Sequence, residues 1–441
     1  MTGAAKKRRV RKLVAAEAAA AAELSDAIAD LAEPGFEEHE SSKLLAGYLR
    51  RRGFEVDWPW RQMPTAFRAA RGRGRPTVGL LAEYDALPNC GADEGQWGHG
   101  CGHNLLGAGS AAGAVAAAEL LEAVGERGRI VVWGCPAEEL LAGKVYMARD
   151  GAFADNDAIL GWHPGSGTRV SRFGGSALDS VVFEFFGKTA HGASAHDGRS
   201  ALDGVMLLDV GANYLREHVP ENVRLHMCIQ EGGEAPNVVP AYAKAWYYVR
   251  GKDRAQVDEV RKRLIACARG AATATQTRVK VTRLTGGYSR LQNEPIAKAI
   301  ERNLKLMGPP AVTASDKRRV RRLGKKGIFD EKIDNKADKQ GRGSSDEDNV
   351  SWLTPFCGLA VACVSKEGVT GHHRDYAAQV KLPFAHRGML RAAEVLAATA
   401  FDLCTEPDLL AEAKKAFRKA ARGFTYDPLI PKRQKPPTVR P

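Results

Sequence analysis

The 441-residue sequence has no uninterrupted apolar run approaching the roughly eighteen residues that a membrane-spanning helix needs, so no membrane partner is expected. Aromatic residues are scarce, at 7%, and they are not interleaved with the basic ones. That matters because the net charge of +13 would otherwise invite a nucleic-acid reading. A stacking groove sets aromatics between its cations. Here the excess lies at the two ends and in the internal run Lys317 to Lys326, so no nucleic-acid partner is expected either. The eight cysteines, at 90, 101, 135, 228, 267, 357, 363 and 404, lack the close regular spacing of a disulfide framework, which points to free thiols in a reducing compartment. The basic start, Met1 to Lys12, and the Ala-rich run after it, which carries Glu17 and Glu23, are unlike a secretory leader. A cytoplasmic protein is the expectation. Internal repeats are missing as well.

What is present is alternation. A helical segment from Val10 to Asp30 is broken at Pro34-Gly35, and helical spacing resumes from Glu37 to Arg52. Apolar strands follow at Thr65 to Ala70, Thr77 to Glu83, Ile130 to Gly134 and Ala158 to Trp162, with the Ala-rich helix Leu105 to Val124 among them. Such runs are typical of strands buried on both faces of a mostly parallel sheet. Three of them end in chemistry: Glu83-Tyr84-Asp85, Pro136-Ala137-Glu138-Glu139, and His163. In open α/β sheets the carboxyl ends of strands are where ligands bind. Near Gly174 the style changes to a βαββαβ-like run, from the alternating strand Ser180 to Phe186 to the strand Thr277 to Thr285. The expected architecture is therefore α/β: a catalytic domain (1–174 and 288–441) with a mostly parallel central sheet, interrupted by an inserted α+β unit at 175–287. The charged stretch 313–347 reads as a surface loop or partly disordered insert, and the Pro- and Lys-rich tail 425–441 as extended over the surface.

The stretch Gly98-His99-Gly100-Cys101-Gly102-His103-Asn104 sets two imidazoles and a thiol among glycines. Cysteine and histidine suit transition metals, and glycine lets the backbone bring them together. Cys101, His103, one of Glu138 and Glu139, His163, and one of His372 and His373 would make a five-ligand set. That is too many for one tetrahedral zinc but apt for two divalent ions, Mn2+ or Zn2+, sharing a bridge. The other carboxylate of the Glu pair is then free to take a proton from bound water. Asp85 is the candidate to accept the second N–H of a ligating imidazole, with Glu83 as a helper.

These residues carry a resemblance. Ala82-Glu83-Tyr84-Asp85-Ala86-Leu87-Pro88, the Cys-Gly-His stretch, Cys135-Pro136-Ala137-Glu138-Glu139 and Gly161-Trp162-His163-Pro164 are similar to motifs of the M20 metallopeptidase superfamily. Gly187 to Ala193, Pro236-Asn237-Val238-Val239-Pro240 and Gly343-Ser344-Ser345-Asp346 continue the likeness. The Cys-Gly-His form resembles its amidohydrolase branch, most of all the aminobenzoyl-glutamate utilisation type. The resemblance implies that Cys101, His103, Glu139, His163 and a C-terminal histidine, His372 in preference to His373, hold two metal ions. It implies Glu138 as general base, His191 as a donor to the substrate carbonyl oxygen from a lid domain, often that of a second copy, and Asn237 and Arg250 as substrate contacts. It also implies a homodimer formed through the lid.

The expected activity is hydrolysis of an amide C–N bond in a small anionic, aromatic N-acyl amino acid, by metal-activated hydroxide with Glu138 as base. The alternative is hydrolytic deamination of an activated aromatic amine, such as an anthranilate-like compound, at the same site. A metal-structured binding protein is disfavoured, because a structural site is closed by four protein ligands and needs no adjacent base.

Overall fold

The computed structural model describes residues 2–334, 340–341, 343–366 and 371–437. Its strands are β1 (Glu55–Asp57), β2 (Phe67–Arg73), β3 (Thr77–Ala82), β4 (Gly128–Gly134), β5 (Ala158–Gly165), β6 (Arg169–Ser171), β7 (Ala177–Phe186), β8 (Arg224–Glu231), β9 (Tyr242–Gly251), β10 (Arg278–Gly287) and β11 (Phe356–Ala362). One sheet has seven strands in the order β1-β2-β4-β3-β5-β11-β6. Its centre, β4-β3-β5-β11, is parallel, and antiparallel strands flank it on both sides. The apolar runs expected of a doubly covered sheet are buried along their whole length in β3 and β11. β3 lies where the chain reverses direction across the sheet, with β4 on one side and β5 on the other. That switch point is where such sheets open a crevice.

The second sheet is antiparallel in the order β10-β7-β9-β8, built by one continuous stretch between β6 and β11. Along β9 burial alternates residue by residue. Ala243, Ala245, Tyr247 and Val249 are buried in a core shared with the helices Ala201–Glu217 and Arg254–Ala274. Trp246, Tyr248 and Arg250 lie on the opposite face.

The helix His103–Val124 sits between the parallel strands and two long helices, Gly3–Leu31 and Pro383–Thr405. Among the described helices it alone is long and apolar enough to cross a bilayer, and 94% of that stretch is buried inside the protein. Small residues explain how it packs. At Gly109 a Cβ would stand 2.8 Å from Trp162 Cζ2 and 3.1 Å from Met389 Cγ, so sheet and helix meet at backbone distance.

Two expectations are corrected. The charged stretch 313–347 is not simply a surface loop. Ala314–Arg322 is a helix closed by a capping box between Thr313 and Asp316, Val320 and Phe329 pack on Phe384, and Asp346 is buried; residues 335–339 and 342 lie outside the described residues. The tail does not merely run over the surface either. Ile430 is buried in the cluster holding Trp133 and Tyr146, and Gln434 Nε2 donates to Tyr146 Oη at 2.7 Å; residues 438–441 are not described. The helix Pro407–Ala420 before it is a further element.

The packing at Gly109 yields a stability prediction. Gly109→Val should cost about 1–3 kcal/mol by overpacking. Gly270→Ala, where a Cβ meets nothing within 4 Å on a helix surface, should gain up to about 1 kcal/mol from helix propensity. Urea unfolding of the two variants beside the wild type reads both signs.

Candidate metal centre

β3 runs out at Ala82, and the next three residues, Glu83, Tyr84 and Asp85, are buried. Asp85 Oδ1 accepts from His103 Nδ1 at 2.8 Å, while Oδ2 accepts from the backbone N–H of Glu139 at 2.8 Å. With Nδ1 engaged, His103 turns Nε2 inward, and that atom is buried without a hydrogen-bond partner. Glu83 Oε2 lies 3.4 Å from it and Glu138 Oε2 3.9 Å.

Two adjacent glutamates can both face inward only on irregular backbone. The loop after β4 supplies it: Ala137 sits at φ 54°, in the left-handed region, and its N–H donates to the buried carboxylate of Glu38 at 2.7 Å. At the loop's end the helix Gly143–Arg149 starts hard against the Pro136 carbonyl oxygen, where any Cβ would collide.

Cys101 Sγ lies 3.3 Å from His163 Nε2. His163 Nδ1 donates to the Pro164 carbonyl at 2.6 Å, which leaves Nε2 as the lone pair facing the thiol. His163 belongs to the end of β5 itself, so the strand is longer than its apolar run suggests. His372 is at φ 62°, tied by its N–H to the Gly100 carbonyl, and brings Nε2 to 3.3 Å from Glu139 Oε2. His373 instead caps the short helix Arg374–Ala377. Of the two, His372 faces the cluster.

The outcome is two groups of three, Cys101-His103-His163 and Cys101-Glu139-His372, each with ligand atoms within 4.8 Å of one another. They share the one thiol. Glu138 belongs to neither, and its carboxylate accepts no hydrogen bond among the described residues; a third group joins it to Glu83 and His103. The crowding shows in the acidities. Burial, then Glu83 and Glu139, push Glu138 well above the usual carboxylate range. Glu139 is pushed up to about 7, by burial first, with His103 opposing. Burial and then Glu139 raise the Cys101 thiol. A thiol and carboxylates this crowded favour their neutral forms unless cations join them. The orphaned Nε2 of His103 and Oε1 of Glu139 mark where those would bind, so the residues fit divalent metal ions.

The other expected residues divide. Arg250, on β9, is half-buried and near enough to feel the charge of Glu138. Its guanidinium makes no hydrogen bond or ion pair among the described residues, and its Nε is buried without a partner. His191 and Asn237 pair with each other's neighbours, through the His191–Val238 bridge and the Gly192 N–H donating to the Asn237 carbonyl. Both are exposed, and neither contacts the cluster of the same chain among the described residues.

Sequence reasoning missed two features. Lys144, fully buried, lies 2.7 Å from Glu83 Oε1 and 2.5 Å from Asp346 Oδ1; nothing in the sequence separates it from an ordinary helix-surface lysine. Beside Glu139 is a cavity of about 290 Å³ with an aromatic wall of Trp97, Trp246 and Tyr248. The alternation of β9 signals that face, but not what it covers.

Known proteins share this arrangement of chain. A subunit of the p-aminobenzoyl-glutamate hydrolase of Escherichia coli (strain K12) is 32% identical over 95% of this chain and 96% of its own length. The Xaa-Arg dipeptidase of Homo sapiens is 31% identical over 90% of this chain and 88% of its own. A solved structure described as a dinuclear metal binding peptidase from the M20 family, from Bacillus subtilis, superposes with a TM-score of 0.56 at 19% identity, covering 87% of this chain and 98% of that one. Residues 79–321 match the model of peptidase family M20/M25/M40. The chain belongs to that family, as an α/β metal-dependent hydrolase of the kind that acts on carbon–nitrogen bonds other than peptide bonds.

Proposed function

We propose that the protein is a dinuclear amidohydrolase that cleaves aromatic N-acyl amino acids carrying a negative charge. The observation that carries this reading is the pair of ligand groups sharing Cys101, with Glu138 left outside both. Cys101, His103, Glu139, His163 and His372 would hold two ions, Mn2+ or Zn2+, whose chemistry is to acidify water and polarise a carbonyl oxygen. Glu138 takes the proton from the attacking water and delivers it to the leaving nitrogen. Its buried surroundings, crowded with other carboxylates, keep the carboxyl able to carry that proton between the two steps. Asp85 holds His103 and the Glu139 loop in register throughout.

The substrate class follows from the walls. An aromatic acyl group fits the cavity beside Glu139 between Trp97, Trp246 and Tyr248, and such rings favour edge or stacked aromatic contact. Arg250, a cation without an anionic partner among the described residues and two positions beyond Tyr248 on β9, supplies the mate for a carboxylate of the leaving amino acid. The E. coli relative is named for p-aminobenzoyl-glutamate, which divides in this way. An Xaa-Arg substrate would bring a second guanidinium towards Arg250, and the reading disfavours it.

The inserted unit serves as a lid and as the dimer contact. Its edge strand β8 pairs only with β9 among the described residues, and beside it Met206, Leu207, Val210 and Tyr214 expose apolar surface on one helix, with Tyr214 75% exposed. An open edge next to apolar surface suits pairing with a second copy. His191 would then act on the partner's substrate as an oxyanion donor.

The roles of the paired glutamates separate on metal analysis. Glu138→Gln should keep its metal but lose ~10²-fold or more in kcat, whereas Glu139→Gln and Cys101→Ala should lose metal and activity together. Equal metal loss in Glu138→Gln and Glu139→Gln would refute the division of labour. For substrate, p-aminobenzoyl-glutamate and benzoyl-glycine should release the amino acid, with Arg250→Ala raising KM for both by about 10-fold or more. Ammonia released from aromatic amines, and none of these products, would turn the reading to deamination. If His191 acts across the dimer, mixing inactive His191→Ala and Glu138→Gln proteins should restore activity once protomers exchange; exchanged dimers that stay inactive place it within one chain.

A further inference from the structure

Lys144 is unusual in any protein: a lysine with no solvent exposure, at the start of a seven-residue helix. Its ammonium is shared by two carboxylates from distant parts of the chain, Glu83 Oε1 at 2.7 Å and Asp346 Oδ1 at 2.5 Å, and Asp346 Oδ2 also accepts from the Lys144 backbone N–H at 2.8 Å. Burying an ion pair is costly unless geometry is good and the remaining donors are met, so this one needs a reason. The reason lies on the other side of Glu83. Its second oxygen, Oε2, points at His103 Nε2 from 3.4 Å, closer than Glu138 Oε2 at 3.9 Å. Glu83, His103 and Glu138 themselves form a group with ligand spacing. By position alone Glu83 is the better placed of the two carboxylates to bind a cation held by His103.

We propose that Lys144 is a positioning residue that keeps Glu83 out of the metal shell and so leaves Glu138 as the carboxylate facing the reacting water. It acts in two ways. It holds Oε1 of Glu83 in a fixed, charge-assisted contact, so Oε2 cannot advance from its place 3.4 Å from His103 Nε2 without breaking a buried ion pair. It also sets a positive charge behind Glu83, which lowers that carboxylate's attraction for a second cation. Glu138 has no such tether. Asp346 completes the device by fixing the lysine from the C-terminal part of the chain, which gives this otherwise unassigned buried acid a role. The inference rests on the metal-centre reading above.

The test uses the full-length protein and Co2+, whose visible absorption reports the number and type of its ligands. Removing Lys144 alone would leave two buried carboxylates uncompensated and endanger the fold. The informative variant is therefore Lys144→Met/Asp346→Asn, which removes one charge of each sign and keeps a side-chain oxygen at position 346 to accept from the backbone N–H at position 144. Glu83 then becomes free to join the shell. Co2+ should bind more tightly, by about 10-fold, the scale on which residues around a ligand shell act, and the d–d bands should weaken and shift as the coordination number rises. Adding Glu83→Gln to the pair should return affinity and spectrum to those of Glu83→Gln alone. A spectrum and affinity unchanged by the double variant, or a change that persists in the Glu83→Gln background, would overturn the role of Lys144. A wild-type protein that binds no Co2+ would overturn the metal-centre reading itself, a distinguishable failure.

Discussion

Everything at this centre depends on one buried carboxylate. Asp85 touches neither of the positions where substrate would lie, yet its two oxygens connect three elements: the end of β3, the first turn of the helix His103–Val124 through the His103 ring, and the loop after β4 through the Glu139 N–H. A buried charge with both oxygens satisfied is stable, whereas the same charge with one partner removed costs about 3–5 kcal/mol. The constraint therefore runs both ways. It keeps Asp85 ionised, and it fixes which nitrogen His103 presents and how far Glu139 can reach.

Strain is placed where that network can hold it. Ala137 and His372 both lie in the left-handed region, which costs a non-glycine residue of order 1–2 kcal/mol. Each is tied by its own backbone N–H, Ala137 to the Glu38 carboxylate and His372 to the Gly100 carbonyl. Each sits immediately before, or is itself, a residue that faces the cluster. The two distortions have the same purpose. A regular strand or helix would send Glu138 and Glu139 to different faces, and an extended His372 would follow His373 away from the site.

Much of this was legible in the sequence, for physical reasons that differ from residue to residue. Asp85, Glu138, Glu139 and His163 lie at or near the ends of apolar strands, and a parallel sheet can only gather such ends along one edge. The choice between His372 and His373 was open, because a single backbone dihedral decides it. Lys144 was invisible, and Asp346 showed only as the end of a motif with no partner assigned, since a charged residue reads as exposed until the fold supplies its partner some two hundred positions away. The helix at Ala314–Arg322 was hidden by its own charge: only Val320 among its residues is apolar and buried, so periodicity had almost nothing to register. Its Thr313-x-x-Asp316 cap was the signal to read instead.

The division between catalysis and specificity is also built into the two sheets. Every member of the cluster comes from the ends of the parallel strands or from the segments that follow them, and their geometry is set by contacts as rigid as the Asp85 network. The aromatic wall and Arg250 come largely from β9, whose other face is committed to packing against its own two helices. Because residues alternate sides along a strand, substitutions at Trp246 and Tyr248 can change the pocket without entering the core that β9 shares with its two helices. A chain that keeps the cluster can thus acquire a different substrate at little cost in stability. That is how a fold can host relatives of comparable identity named for substrates as unlike as p-aminobenzoyl-glutamate and Xaa-Arg dipeptides.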